Sequence, residues 1–411
     1  MLSNLKNILK TGMDSVAFKE KEQAQLIEAV TLHQQGKMQE ARVLYQELVE
    51  LNPKNAEALH LLGVVTAQSK QFESAADLIA GAIAINPDNP AFYVNRGNAL
   101  KELKQFVMAL ACYDKALSLQ GDIPEAYYSR AIVQKELKQL DAALASYENA
   151  IGLKPDYAEA YYGKAIVLHE LSKTDAAMSS YDQAISIHPA YAEAYFGRGS
   201  LLLAQQQLEA ALVSYSQAID ANRDFALAYL SRGHVLHLLG RLEVALIDCN
   251  KAIQLNPGLS GAYYCRGQVQ CALEQFDAAV TSFDMAIASK PEAHEAYFNR
   301  GNALKRLGKL EDALTSYDNA VFINPEFAEA YYNRGNILNE LGRMEEAVAS
   351  YDEAVRIRPD FSQAFFNRGS LLEALGRFEP ALSSFDRAIQ INPGLLEAQQ
   401  GRERVLQTLT A

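Results

Sequence analysis

The chain has 411 residues, 49% of them hydrophobic and 21% charged, which excludes an intrinsically disordered chain. Its 38 basic and 50 acidic side chains leave a formal net charge of −12, which excludes nucleic-acid binding by the whole surface and leaves only a local basic groove open to it. No stretch is long and apolar enough to span a membrane, and the opening MLSNLKNILKTG lacks the apolar core of a signal peptide. The four cysteines, Cys112, Cys249, Cys265 and Cys271, have no CxxC spacing. They are too few for a disulfide scaffold of this size, and a reducing, cytoplasmic setting is expected.

In chain order, residues 1–21 come first. Leu2, Leu5, Ile8 and Leu9 lie among Lys6 and Lys10. The segment reads as an N-terminal cap or flexible lead. The other reading is a short amphipathic helix for a membrane surface or a partner.

From residue 22 a period takes over. Pro53, Pro87, Pro155, Pro189, Pro257, Pro291, Pro325, Pro359 and Pro393 fall on one series with a 34-residue step, and Gly121 and Arg223 fill its vacant points. A proline without an N–H and with fixed φ stops a helix. Eleven repeats follow, starting at residues 22, 56, 90, 124, 158, 192, 226, 260, 294, 328 and 362. Repeat ten reads AEAYYNRGNILNELGRMEEAVASYDEAVRIRPDF. Its apolar residues recur at three- and four-residue steps, the helical period, on both sides of a short LGR turn. Each repeat is therefore predicted as helix A near repeat positions 1–14 and helix B near 15–29.

The eighth position is Gly63, Gly97, Gly199, Gly233, Gly267, Gly301, Gly335 and Gly369 in eight repeats and Ala29, Ala131 and Ala165 in the others. Glycine inside a helix costs about 1 kcal/mol relative to alanine, so a close helix crossing is expected there. Ala at position 20 offers a facing small surface, and position 24, as in Tyr147, Tyr181, Tyr317 and Tyr351, fills the neighbouring gap. Residues 396–411 begin like another helix A. They place Glu403 at the small position and have no helix B after them, which predicts a capping helix with a wet outer face.

Eleven in-phase copies of this small–Ala–aromatic–Ala–Pro pattern over residues 22–395 resemble the tetratricopeptide repeat (TPR) family. The resemblance implies an all-α, right-handed α-solenoid of eleven 34-residue helix–turn–helix repeats, with helix A lining a concave groove. Stacking is also what physics requires, since one repeat cannot bury its own apolar face.

On the family geometry, helix-A positions 2, 5, 6, 9, 12 and 13 face the groove. Position 2 is mostly glutamate, and position 5 is aromatic from repeat four onward except Leu230. Asn95, Asn299, Asn333 and Asn367 hold position 6, and Asn98, Asn302 and Asn336 hold position 9. An amide donates and accepts at once, which suits a peptide backbone, and neighbouring rings add apolar area at low entropic cost. The peptide-binding candidates are therefore Asn95, Asn98, Asn299, Asn302, Asn333, Asn336 and Asn367, with Phe298, Tyr332 and Phe366. The same amides can bond between neighbouring repeats. On the binding reading, replacing Asn299, Asn333 and Asn367 by alanine leaves stability nearly unchanged. Small residues at position 6 in repeats four to eight, such as Gly163 and Gly197, are expected to leave room beside the rings.

A clamp for a terminal carboxylate, used by chaperone-tail receptors in the family, needs Lys at position 5, which never occurs here. Basic residues at position 7 and acidic ones at position 25 predict a ladder of ion pairs between adjacent helices, at most ~1 kcal/mol each where exposed. No P-loop, HExxH, GxSxG or GxGxxG unit is present, so no enzyme activity and no cofactor are expected. His234, His237, Cys265 and Cys271 are the one grouping with metal-ligand chemistry, and they read better as groove-lining or core residues. The leading expectation is a non-enzymatic scaffold that binds an extended protein or peptide segment. The second comes from the similarity of AEAYYNRGNxLxxLGR repeats to the substrate-recognition arrays of O-linked N-acetylglucosamine transferases, whose catalytic domain is absent from these residues. The ligand and the oligomeric state are not legible.

Overall fold

A computed structural model describes residues 20–410. The expectation for an N-terminal lead falls almost wholly outside them. Helices follow one another from residue 20 to Thr410, and no strand occurs among the described residues. There are two helices per repeat and a last one over Leu396–Thr410. The chain divides into two compact units, residues 1–201 and 202–411. In each unit the two helices of a repeat pack on each other, and helix B packs on the helix A that follows. The architecture is an all-α array of stacked helix pairs.

Repeat ten shows why these residues fold this way. Helix A runs over Ala328–Glu340 and helix B over Met344–Ile357. Gly342 takes φ +75° between them, a conformation that an L side chain resists. It lets Arg343 N–H reach Leu338 C=O at 2.8 Å and Gly342 N–H reach Asn339 C=O at 3.0 Å, satisfying carbonyls the helix end would orphan. Acidic Glu329 sits in the first turn of helix A and Glu345 and Glu346 in that of helix B, where the helix dipole favours negative charge. Helix B ends before Pro359, its last cap being Arg358 N–H on Ala354 C=O at 2.9 Å.

Packing follows the repeat positions. Gly335, Ala347, Tyr351 and Ala354 are all buried. A Cβ built on Gly335 would meet the Tyr351 ring at 2.7 Å. In repeat ten the ring is what lies nearest the small position, while in repeats two and seven the backbone of the position-20 alanine, Ala75 or Ala245, also comes within 3.1 or 3.3 Å of a Cβ built there. In the last helix, Gly401 lies equally close to Phe385, while Glu403 is exposed.

Candidate functional site

In the second unit, the columns at positions 5, 6, 9, 12 and 13 converge. Phe366, Asn367 and Asn336 line a pocket of about 460 Å³ with Lys305, Asn339, Glu340, Met344 and Ser370. Lys305 Nζ pairs with Glu340 at 3.3 Å across this pocket.

The asparagines are wired to one another and to tyrosines. Tyr317 O–H donates to Asn302 Oδ1 at 2.7 Å, and Asn333 Nδ2 donates to the same oxygen at 2.9 Å. The next rung repeats the pattern. Asn336 Oδ1 accepts from Tyr351 O–H at 2.7 Å and from Asn367 Nδ2 at 3.0 Å. Asn367 Nδ2 also reaches the Tyr332 hydroxyl at 3.1 Å, and Asn299 Nδ2 reaches that of Tyr264 at 2.8 Å. Burial pushes the Tyr317 and Tyr351 phenols well above their ordinary range, so both stay protonated donors.

This wiring leaves an ordered remainder. Among the described residues, the Oδ1 acceptors of Asn299 and Asn333 and the Nδ2 donors of Asn302 and Asn336 have no protein partner. In repeats nine and ten position 6 thus presents acceptors and position 9 presents donors. Phe298 and Tyr332 pack at a tilt against Phe327 and Phe361, with ring centroids 4.9 Å apart in both pairs. Those rings are braced, not free to follow a ligand.

In the first unit, Asn95 and Asn98 line a smaller pocket of about 240 Å³ with Val64, Phe72 and Glu102. Asn95 bonds His60 Nε2 at 2.8 Å, and Asn98 Oδ1 accepts from Tyr113 O–H at 2.8 Å.

One expectation is narrowed and one is corrected. Asparagine at position 9 supports packing, because the carbonyls of Asn98, Asn302 and Asn336 hold the phenols of Tyr113, Tyr317 and Tyr351, whereas Asn299, Asn333 and Asn367 stand at position 6 and hold no phenol by their carbonyls. Asn302→Ala removes an acceptor from Tyr317 and Asn333 together. We predict that it lowers stability by about 1–3 kcal/mol, read by urea unfolding. An unchanged unfolding midpoint would show the ladder to be idle in the free protein. Nor is there room beside the rings in repeats five and six. A Cβ on Gly163 would meet Tyr147, and one on Gly197 would meet Tyr181, at 2.5 and 2.6 Å. Position 9 is Ile132 or Ile166 in those rings' own repeats, so no asparagine holds the phenol, and the ring reaches the glycine of the next repeat.

Sequence reading passed over Lys305, Asn339 and Glu340. They stand at positions 12 and 13, and reading those two columns as well would have found them. The ion-pair ladder is present, with one further member. Arg334 bonds Asp318 at 2.5 Å on one side and the Ser350 hydroxyl at 2.6 Å on the other, and Arg368 repeats this with Asp352 and Ser384. In repeat seven the serine is replaced by Asp248, which is 2% exposed and held by Arg232 through two bonds of 2.7 and 2.8 Å. Among the described residues, no three His, Cys, Asp or Glu side chains gather as metal ligands. Burial holds the His234 and His237 imidazoles below their ordinary range.

Comparison with known families finds matches along the chain. Models described as tetratricopeptide repeat match residues 32–93, 90–122, 158–191, 226–259, 266–321, 298–360 and 362–395. One described as TPR repeat matches 135–172 and 199–240. Together they cover most of the chain.

The chain belongs to the tetratricopeptide repeat family.

Among solved structures, this TPR chain is similar to YrrB, described as a TPR protein with an unusual peptide-binding site. The identity is 28% over 46% of this chain and 97% of that one, with a TM-score of 0.41. It is also similar to the Cut9–Hcn1 hetero-tetramer of the APC/C (14% identity, 92% and 95% covered, TM-score 0.48) and to MamA (22%, 39% and 95%, 0.38). No curated protein matches. Among the described residues, no helix of the TPR array is long and apolar enough to cross a membrane.

Proposed function

We propose that the chain is a non-enzymatic, cytoplasmic scaffold that binds an extended protein segment along the helix-A face of repeats eight to eleven. In this reading residues 22–395 are the binding array. The carrying observation is the ordered remainder of the asparagine ladder. Acceptors on Asn299 and Asn333 alternate with donors on Asn302 and Asn336. An extended backbone offers the complementary alternation of N–H and C=O and leaves its side chains unread. The pocket at Phe366, Asn339 and Ser370 then seats one bulky side chain beside the Phe366 ring.

The test begins with peptides selected on the intact chain from a random display library. The best binder is titrated by calorimetry. Phe366→Ala is expected to weaken it at least tenfold, about 1.4 kcal/mol, as a central aromatic anchor does. Asn339→Ala is expected to weaken it about threefold to tenfold, the worth of one hydrogen bond. Circular dichroism checks that both variants keep their helices. Unchanged affinity in both would place binding elsewhere.

A further inference from the structure

The junction of repeats seven and eight breaks the array's packing rule twice in one place. Position 24 carries an aromatic ring in nine repeats and Ile79 in one, but Cys249 in repeat seven. Position 6 of the following repeat carries Asn, Ser, Gly or an aliphatic side chain elsewhere, but Cys265 in repeat eight. These two positions meet at other junctions of the array as well. Tyr147 lies over Gly163, Tyr181 over Gly197 and Phe385 over Gly401. Here the same register sets thiol against thiol, with the sulfurs 3.1 Å apart. Both cysteines are free and buried, Cys249 at 0% and Cys265 at 3% exposure.

We propose that Cys249 and Cys265 are a covalent modification site, two thiols that close into an intramolecular disulfide joining helix B of repeat seven (Leu242–Leu255) to helix A of repeat eight (Ser260–Ala272). A disulfide needs its sulfurs about 2.05 Å apart, so closure asks for an approach of about one ångström between side chains already in contact. The oxidant is a small-molecule disulfide such as oxidised glutathione. One cysteine thiolate attacks the reagent's S–S bond, forms a mixed disulfide and expels one reduced thiol. The second thiolate attacks the protein sulfur of that mixed disulfide and expels the other. Two protons leave the protein thiols and end on the two reduced products. Two electrons pass from the protein sulfurs to the reagent. Burial makes the folded pair slow to react. The neighbouring Cys265 thiol and burial both push the Cys249 thiol above its ordinary range, and the thiol form is not the nucleophile.

Access is removed from the test by refolding. The intact chain is unfolded in urea and refolded in a glutathione redox buffer. Remaining thiols are then alkylated, and the digest is mapped by mass spectrometry. The expected product has lost two of its four thiols, weighs two hydrogens less, and yields one cross-linked peptide pair carrying Cys249 and Cys265. Cys112 and Cys271 are alkylated throughout. Dithiothreitol reverses the change, and Cys249→Ser abolishes it. In the cross-linked protein, amide exchange limited by separation of these two helices slows by roughly a hundredfold, as expected for closing a loop of about 15 residues. The proposal fails if the refolded protein keeps four alkylatable thiols, pairs any other two cysteines, or carries only glutathione adducts. None of these outcomes depends on what the groove binds.

Discussion

Arg232→Ala is expected to destabilise the second unit by about 3–5 kcal/mol, the largest effect of any single side-chain deletion outside the aromatic core. The cost comes from what remains. Asp248 is 2% exposed and its two oxygens are held by Arg232 at 2.7 and 2.8 Å. Removing the guanidinium strands a carboxylate that water cannot reach. The same deletion at Arg334 leaves Asp318 about half exposed, and that loss should stay near 1 kcal/mol. A second comparison separates charge from packing. Replacing both members of the buried pair, as in Arg232→Met with Asp248→Leu, should recover most of the loss, because no ion is then left behind. Hydrogen exchange suits this better than a bulk melt, since an array can open one repeat at a time. Equal losses for Arg232→Ala and Arg334→Ala would show that Asp248 is not effectively desolvated.

Gly335→Leu is expected to cost about 1–3 kcal/mol, and more if helix A cannot shift. Even the first added carbon would sit 2.7 Å from the Tyr351 ring. That ring is 2% exposed and its hydroxyl is tied to Asn336, so it cannot rotate away without abandoning a bond. Relief must come from separating the two helices of repeat ten. Exchange should therefore rise first in residues 328–357 and their neighbours. A uniform rise through residues 202–410 would instead show that the unit opens as one cooperative block.

The fold was legible because a 34-residue period gives each position one environment many times over. Gly335 alone says little, whereas eight glycines in phase specify a crossing. The candidate site was legible only as far as its columns. Which end of an amide stays free depends on whether a neighbouring phenol claims its oxygen. Asn302 and Asn336 are claimed this way, and their composition could not show it. Ser350 looked like an ordinary mid-helix serine until Arg334 reached it. Cys265 was grouped with Cys271, its near neighbour in sequence, although its partner in space is Cys249. The offset of 16 residues that joins Asp318 to Arg334 also joins Cys249 to Cys265. Applied to every side chain and not only to charges, that offset would have found the pair.

The tether between position 24 and position 9 also limits how such a gene can be cut and rejoined. Where position 9 is Asn, as in Asn98, Asn302 and Asn336, the phenol is drawn onto its own helix A, and the next repeat can carry Ser129, Asn333 or Asn367 at position 6. Where it is Ile132 or Ile166, the ring spills forward, and the next repeat carries Gly163 or Gly197. In Tyr45, whose position 9 is Val30, the buried hydroxyl has no partner among the described residues. Whole-repeat deletions, duplications or crossovers therefore keep the reading frame at any boundary but do not fit equally well. Splicing repeat ten behind repeat four would drive Asn333 into the Tyr147 ring, whereas splicing it behind repeat three would meet a phenol already held back by Asn98. The array is modular by length, but these tyrosine junctions accept only matched neighbours.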